Sequence, residues 1–309
     1  MKQGAKRIYD SRDGRPMPKQ HGSSRRPGKK PRLSQHLLRD PATARRIVSY
    51  AAVSSSDRIL EIGPGRGALT KPLLATGAKV YAIEADRTMA DALLRENRSD
   101  GLILMITDAT RANWPEVDKI VSNLPYHVTT PLVLRVLDAP VKMSVLTVQK
   151  EYADRMSAGA GEDDYSRLSV VVACRAGCEL LETLPPGAFD PPPKVSSAVV
   201  RLTPRAFPFN VKSEPLYFEV VKALFSQRRK KVGTVMRSTA GVRGVPHADS
   251  RPEELTPAEL GEVADAIFEA VADEARGMTK TTRTRGPHAH PAKDGDGGAD
   301  CDEGCTNCL

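Results

Sequence analysis

Asn123-Leu124-Pro125-Tyr126 puts an amide, a stiff turn and an aromatic ring into four consecutive residues. The chemistry it suits is methyl transfer to an exocyclic adenine amine. That nitrogen is a poor nucleophile because its lone pair is delocalised into the ring. It improves when acceptors hold both amine hydrogens and the nitrogen becomes tetrahedral. The Asn123 side-chain oxygen and the Leu124 carbonyl supply two acceptors. Pro125 stiffens the turn, and Tyr126 offers a face for an extracted base. Positioning for in-line transfer carries most of the effect, with no strong base needed. Standing alone, the run also fits an ordinary proline turn after a strand.

A second constellation precedes it. Ile59-Leu60-Glu61-Ile62-Gly63-Pro64-Gly65-Arg66-Gly67 reads as a strand running into a tight glycine turn. Gly63, Gly65 and Ala68 fit the dinucleotide fingerprint, which aims backbone N–H groups at a pyrophosphate. Pro64 removes one such donor, and Glu61 places negative charge beside the ligand. Both features suit a nucleoside that carries no phosphate and a positive sulfonium, which is S-adenosylmethionine. Glu84 lies 21 residues beyond Gly63, where such folds place the acid that binds ribose hydroxyls. Asp108 is placed to accept from the adenine amine.

The elements that must position these residues follow in order. Asp40-Pro41 predicts an N-cap and a helix to about Ala52. Strands are expected at Arg58–Ile62, Lys79–Glu84, Leu102–Ile106 and Lys119–Val121, with a helix over Ala68–Ala75. Glu61, Glu84 and Asp108 thus fall at or near three successive strand ends. Strands at Val145–Val148, Glu179–Leu184 and Ser197–Leu202 complete a mostly parallel sheet. The proline-rich run from Pro185 to Val195 is expected to be a stiff loop without regular structure. Pro215 opens one later helix, and Thr256-Pro257-Ala258-Glu259 is a capping box opening another.

The chain has 309 residues and a net charge of +8. Residues 1–32 carry eleven Lys or Arg against Asp10 and Asp13, a local +9, so the remainder sums to −1. That basic arm is expected to be disordered and to meet a polyanion such as nucleic acid. The absence of a signal-like apolar stretch predicts a cytoplasmic protein. Five cysteines, three of them near the end, exclude a secreted disulfide framework. Cys174 and Cys178 read as ordinary buried thiols. Cys301, Cys305 and Cys308 show the C-x3-C-x2-C spacing of iron–sulfur sites, but in a Gly- and Asp-rich tail they read as free thiols, and no metal is expected.

Gln35-His36-Leu37-Leu38, Glu61 to Gly67, Glu84, Asp108, Asn123 to Tyr126, Gln149-Lys150-Glu151, Phe189 to Ala198 and Phe225 to Lys231 together resemble the rRNA adenine N6-dimethyltransferases, particularly the small-subunit enzymes. The resemblance covers roughly residues 33–240. It implies an α/β fold: a Rossmann-like class I methyltransferase sheet with one reversed edge strand, then a smaller C-terminal helical domain. The corresponding division is a basic arm (1–32), an S-adenosylmethionine-dependent methyltransferase domain (33–205), a helical RNA-binding domain (206–275) and a disordered tail (276–309). His36 and Leu38 would border the cofactor, Gln35 would close over it, and Gly63 and Gly65 would line it. Asn123 would sit between cofactor and target amine, and Phe189 would stack on the target base opposite Tyr126. Lys194, Arg228, Arg229, Lys230 and Lys231 would contact RNA phosphates. The implied partner is ribosomal RNA within a small-subunit particle, met by a monomer. Two departures stand out: Ser34 where the family usually has Gly, and Leu37 where it usually has Phe.

Overall fold

The computed structural model describes residues 6–8 and 36–282, with side chains described over 36–273. Its contacts divide the chain into a unit ending at Phe268 and another beginning at Glu269. They do not part at residues 205–206, where the sequence places a domain boundary.

The elements, in chain order, are β1 (Lys6–Ile8), β2 (Leu37–Leu38), α1 (Pro41–Tyr50), β3 (Arg58–Ile62), α2 (Thr70–Ala75), β4 (Lys79–Glu84), α3 (Arg87–Glu96), β5 (Leu102–Ile106), β6 (Lys119–Asn123), α4 (Thr129–Asp138), β7 (Met143–Gln149), α5 (Lys150–Ser157), α6 (Arg167–Arg175), β8 (Ala176–Leu184), β9 (Phe189–Asp190), β10 (Ser197–Pro204), α7 (Glu214–Ser226), α8 (Val232–Ala240) and α9 (Pro257–Thr282). One sheet runs β1-β5-β4-β3-β6-β7-β10-β8, and β2 pairs with β9 in a separate two-stranded ribbon.

Strands β3 to β6 pair in parallel, and β6 pairs in parallel with β7. Their apolar residues are buried on both faces, as a sheet sandwiched between helices requires. The predicted caps are present, and Asp86 adds one that was not predicted. Asp40 accepts from the Ala42 and Thr43 N–H groups, and Asp86 accepts from Thr88 and Met89. Thr256 and Glu259 form the reciprocal box at the start of α9.

Three expectations are corrected, and one helix was not anticipated. The reversed strand is β10, and it is not at the edge: it lies between β7 and β8, antiparallel to both. Its run Ala198-Val199-Val200 is completely buried, which an inner strand permits and a solvent-facing edge does not favour. Within the arm expected to be disordered, Lys6–Ile8 instead pairs in parallel with Ile103–Met105. The free edge of β5 presents unpaired backbone groups that any short extended segment can satisfy. The proline-rich run holds regular structure after all, since Phe189–Asp190 pairs with Leu37–Leu38. Finally, α8 has no counterpart in the sequence reading.

A separate apolar cluster lies under α7 and α8. Tyr217, Val221 and Leu224 of α7 meet Val232 and Val235 of α8, with Leu260 and Val263 of α9. Tyr165 and Cys174, before and within α6, join the same cluster, which ties it to the sheet's helical layer. Cys174 is buried and Cys178 partly so, and burial raises both thiols, Cys178 to about 11. Cys301, Cys305 and Cys308 lie outside the described residues. No helix among the described residues is long and apolar enough to cross a membrane.

Candidate active site

The strand ends of β3, β4 and β6 converge on the glycine turn. Gly63 and Gly65 have φ of +66° and +56°, values that cost little only without a side chain. A Cβ at Gly63 would come within 3.2 Å of Pro125, and one at Gly65 within 2.5 Å of Leu37. The glycines therefore let both the Asn123–Tyr126 turn and the β2 segment close onto the loop.

A cavity of about 700 Å³ opens there, lined by His36, Leu38, Glu61, Gly63, Arg66 and Asn123 among others. A second of about 210 Å³ is bounded by Gly63, Glu84, Asp108 and Pro125. Glu84 is 2 % exposed, and its two oxygens accept from the Gly65 and Asp86 N–H groups at 3.2 and 2.9 Å. An ionised carboxylate has about four acceptor sites, so each oxygen keeps one for a ligand hydroxyl. Burial raises the Glu84 carboxyl, and the two backbone N–H groups oppose that rise. Asp108 is exposed, and only its Oδ1 is engaged, by the Thr110 N–H and hydroxyl. The Thr110 hydroxyl is the main cause holding its pKa below the usual value. Glu61 is 2 % exposed, bonded to the Thr70 hydroxyl at 2.6 Å and pushed up to about 8 by burial.

Asn123 ends β6. Its neighbours are fixed by Ser122 Oγ donating to the Ile62 carbonyl and Leu124 N–H donating to the Thr147 carbonyl. The buried Leu124 side chain anchors the turn in the core. The Asn123 amide nitrogen donates to the His36 carbonyl at 2.9 Å. A carbonyl can only accept, so this bond fixes which end of the amide faces it. The amide oxygen, turned the other way, is buried and has no partner. A buried acceptor left unpaired is costly, and such an atom marks a place where a donor is expected to arrive.

His36 does more than border the cavity. Its Nδ1–H donates to the Pro191 carbonyl at 2.7 Å, and its ring lies 5.3 Å from that of Tyr126. The Tyr126 hydroxyl bonds that of Ser197. The space enclosed by His36, Leu37 and Asn123 to Tyr126 is only about 20 Å³, too small for a purine.

Phe189, expected to stack on the target base, is 2 % exposed and packed in the core cluster that holds Leu38. Its register partner in the β2–β9 ribbon is Leu38, so the two apolar side chains shield each other from water. Gln35 lies outside the described residues. Lys194 is exposed in the loop before β10. Arg228 to Lys231 form the junction between α7 and α8, and none of them lines these cavities. Arg228 pairs with Glu253, Lys231 with Asp249, and Lys230 bonds the neutral Gln227 side chain.

The sequence reading missed Thr70 and Ser197, whose hydroxyls orient Glu61 and Tyr126. It also missed Arg39, Arg45 and Arg66, exposed arginines that line a groove of about 500 Å³ sharing Leu38 and Ala68 with the main cavity. The one available signal was Arg66 between two glycines.

The family model described as "Ribosomal RNA adenine dimethylase" matches residues 27–262. The sequence is 38 % identical over 250 residues to "Probable ribosomal RNA small subunit methyltransferase A" of Methanosarcina mazei, spanning 77 % of this chain and 92 % of that one. Among solved structures, a dimethyladenosine transferase from Plasmodium falciparum is similar with a TM-score of 0.65 and 25 % identity, over 78 % of this chain and 98 % of its own. The 23S rRNA methyltransferase ErmE is similar in fold, with a TM-score of 0.58 at 24 % identity, over 75 % of this chain and 99 % of its own.

Proposed function

The chain belongs to the ribosomal RNA adenine dimethylase family, and on that premise we propose that it dimethylates adenine N6 amines of small-subunit ribosomal RNA with S-adenosylmethionine, as a step of ribosome biogenesis. The observation that carries the reading is the Asn123 side-chain oxygen, buried, oriented and unpaired at the end of β6. The chemistry of the surrounding groups fits the cofactor. Glu84 retains acceptor sites for ribose hydroxyls, Asp108 retains Oδ2 for the adenine amine, and the glycine turn borders the main cavity at Gly63. Bound there, S-adenosylmethionine supplies an electrophilic methyl group on a positively charged sulfur.

The protein's own residues then hold and orient. Asn123 Oδ1 and the Leu124 carbonyl accept the two amine hydrogens and favour a tetrahedral nitrogen. Tyr126, fixed at its hydroxyl by Ser197, offers its ring to the extracted base. Phe189 reaches the base only if the two-residue β2–β9 ribbon lifts, and the small space beside Tyr126 makes the same demand on His36 and Leu37. Glu61 supplies negative charge when the bound sulfonium favours its ionisation.

The RNA phosphates are assigned to Lys194, Arg229 and Lys230, with Arg39, Arg45 and Arg66 beside the cavity mouth. The helices from residue 206 onward serve as the RNA-binding part, and a small-subunit particle is the form in which a monomer meets the RNA.

The test is transfer of labelled methyl from S-adenosylmethionine to a mixture of undermodified small and large subunits, followed by separation of the two RNAs and nucleoside digestion. The expected product is N6,N6-dimethyladenosine in small-subunit RNA. Label confined to large-subunit RNA would move the chain to the ErmE-like activity. Tight RNA binding without transfer would make it an assembly factor that has lost catalysis.

A further inference from the structure

Arg135 sits on α4, the helix that follows directly from the catalytic turn. At the start of that helix, the Thr129 hydroxyl lies 3.2 Å from both the Pro125 and Tyr126 carbonyls. Further along it, the Arg135 guanidinium reaches the loop after β5. Its Nη1 donates to the Ala109 carbonyl at 2.5 Å and its Nη2 to the Ala112 carbonyl at 2.7 Å. Its face lies 4.4 Å from the centre of the Trp114 ring, and Trp114 Nε1 donates to the same Ala109 carbonyl at 2.9 Å. The loop is otherwise a tight turn, with the Arg111 and Ala112 N–H groups returning to the Asp108 carbonyl. A planar fork spanning two carbonyls fixes direction as well as distance, which a point charge does not. The guanidinium spends its two end nitrogens on backbone, so it fixes the loop mechanically, and its charge adds a smaller pull that helps hold the Asp108 carboxyl low.

We infer that Arg135 is a positioning residue that holds the Asp108 loop in register with the catalytic turn and so sets how well the site reads the adenine of its cofactor. The inference rests on Asp108 being the acceptor for the adenine amine. One helix then carries both halves of the site: its first turn secures Asn123 to Tyr126, and Arg135 secures Asp108. No motif quoted from the sequence contains Arg135 or Trp114.

The test compares binding of S-adenosylhomocysteine with that of S-inosylhomocysteine, which has a carbonyl where adenine has its amine. Calorimetry on the full chain gives the preference ratio. Wild type should prefer the adenosyl compound by roughly tenfold or more, the size of one charge-assisted hydrogen bond. Asp108→Ala should abolish the preference. Arg135→Met should lose most of it, and Arg135→Lys, which keeps the charge but not the fork, should lose a factor of about three. A general loss of packing would weaken both compounds alike and leave the ratio intact. If Arg135→Met fails to fold by circular dichroism, Arg135→Lys carries the test. An unchanged ratio in either folded Arg135 variant, with Asp108→Ala still abolishing it, overturns the clamp alone. An unchanged ratio in Asp108→Ala overturns the clamp together with the reading of Asp108.

Discussion

On one side of Asn123 the cleft is walled by carboxylates at the ends of β3 and β4 and just beyond β5. On the other it is walled by Tyr126, His36 and the β2–β9 ribbon. The first side is already open: cavities of about 700 and 210 Å³ stand beside Glu61, Glu84 and Asp108. The second is shut, with about 20 Å³ beside Tyr126 and Phe189 packed beneath Leu38. The difference follows from what each side must bind. On the proposed reading, cofactor groups are hydrogen-bonded by acids whose positions the sheet fixes, and ordered backbone N–H groups make that arrangement cheap to keep. Aromatic faces kept in water would expose apolar surface, so Tyr126 packs beside His36 and Phe189 beneath Leu38 instead.

The contrast is broken most severely at Glu61. Its carboxyl titrates near 8 in the folded protein and near 4.5 when unburied. Between those values the folded state holds a proton that the unfolded chain has lost, so this group makes stability fall as pH rises. Glu61→Gln keeps an acceptor for Thr70 but cannot ionise. The stability difference between variant and wild type should shift toward the variant by on the order of a few kcal/mol from about pH 5 to about pH 8. Denaturant melts at the two pH values measure it. A pH-independent difference would mean that Glu61 ionises normally where it is buried.

Asn123→Ala strikes the boundary between the two sides. Loss of one preorganised polar group aimed at the reacting atom costs about 10²- to 10³-fold in turnover. The variant also frees the His36 carbonyl, so RNA binding should be compared in parallel. Turnover within tenfold of wild type would remove Asn123 from the centre of the mechanism.

Glu84→Ala should act on the open side alone. Cofactor affinity should drop by roughly 10- to 150-fold, and RNA binding without cofactor should hold. Because Glu84 also accepts from Gly65 and Asp86, part of that loss belongs to the loop it orders. Equal damage to RNA binding would show that the two sides are not separable.

The mildest change, Tyr126→Phe, keeps the ring and removes only the bond to Ser197. Transfer should fall about 2- to 10-fold with cofactor affinity unchanged. Single-turnover assays resolve this, and a loss as large as that of Asn123→Ala would give the hydroxyl itself a part in the chemistry.

What could be read along the chain was what depends on neighbours in sequence. Asp40 before Pro41, and Thr256 with Glu259, announce helix starts because a cap is a contact across three residues. Strands β3, β4 and β5 were legible as apolar runs because parallel strands are buried on both faces. Helix α8 was not legible. Val232, Thr234, Val235 and Thr239 are β-branched and Gly233 is a poor helix former, so local preference speaks against it. Burial of Val232, Val235 and Met236 beneath α7 and α9 outweighs that preference, and Gly233 leaves room for Ala248.

By itself, then, the sequence determined which chemical groups the proposed site draws on: Glu84, Asp108, Asn123 and Tyr126 each stand at or just after a strand, where the backbone alone sets their spacing. Tertiary structure decided which of them face a ligand and which are covered. The pairing of Leu38 with Phe189 joins residues 151 apart, and the bond from Asn123 to His36 spans 87. The same holds for β10 taking an inner place in the sheet and for Arg135 reaching the Asp108 loop. Contacts of that kind leave no periodic trace in a chain, because their energy comes from surfaces that meet only after the sheet has formed.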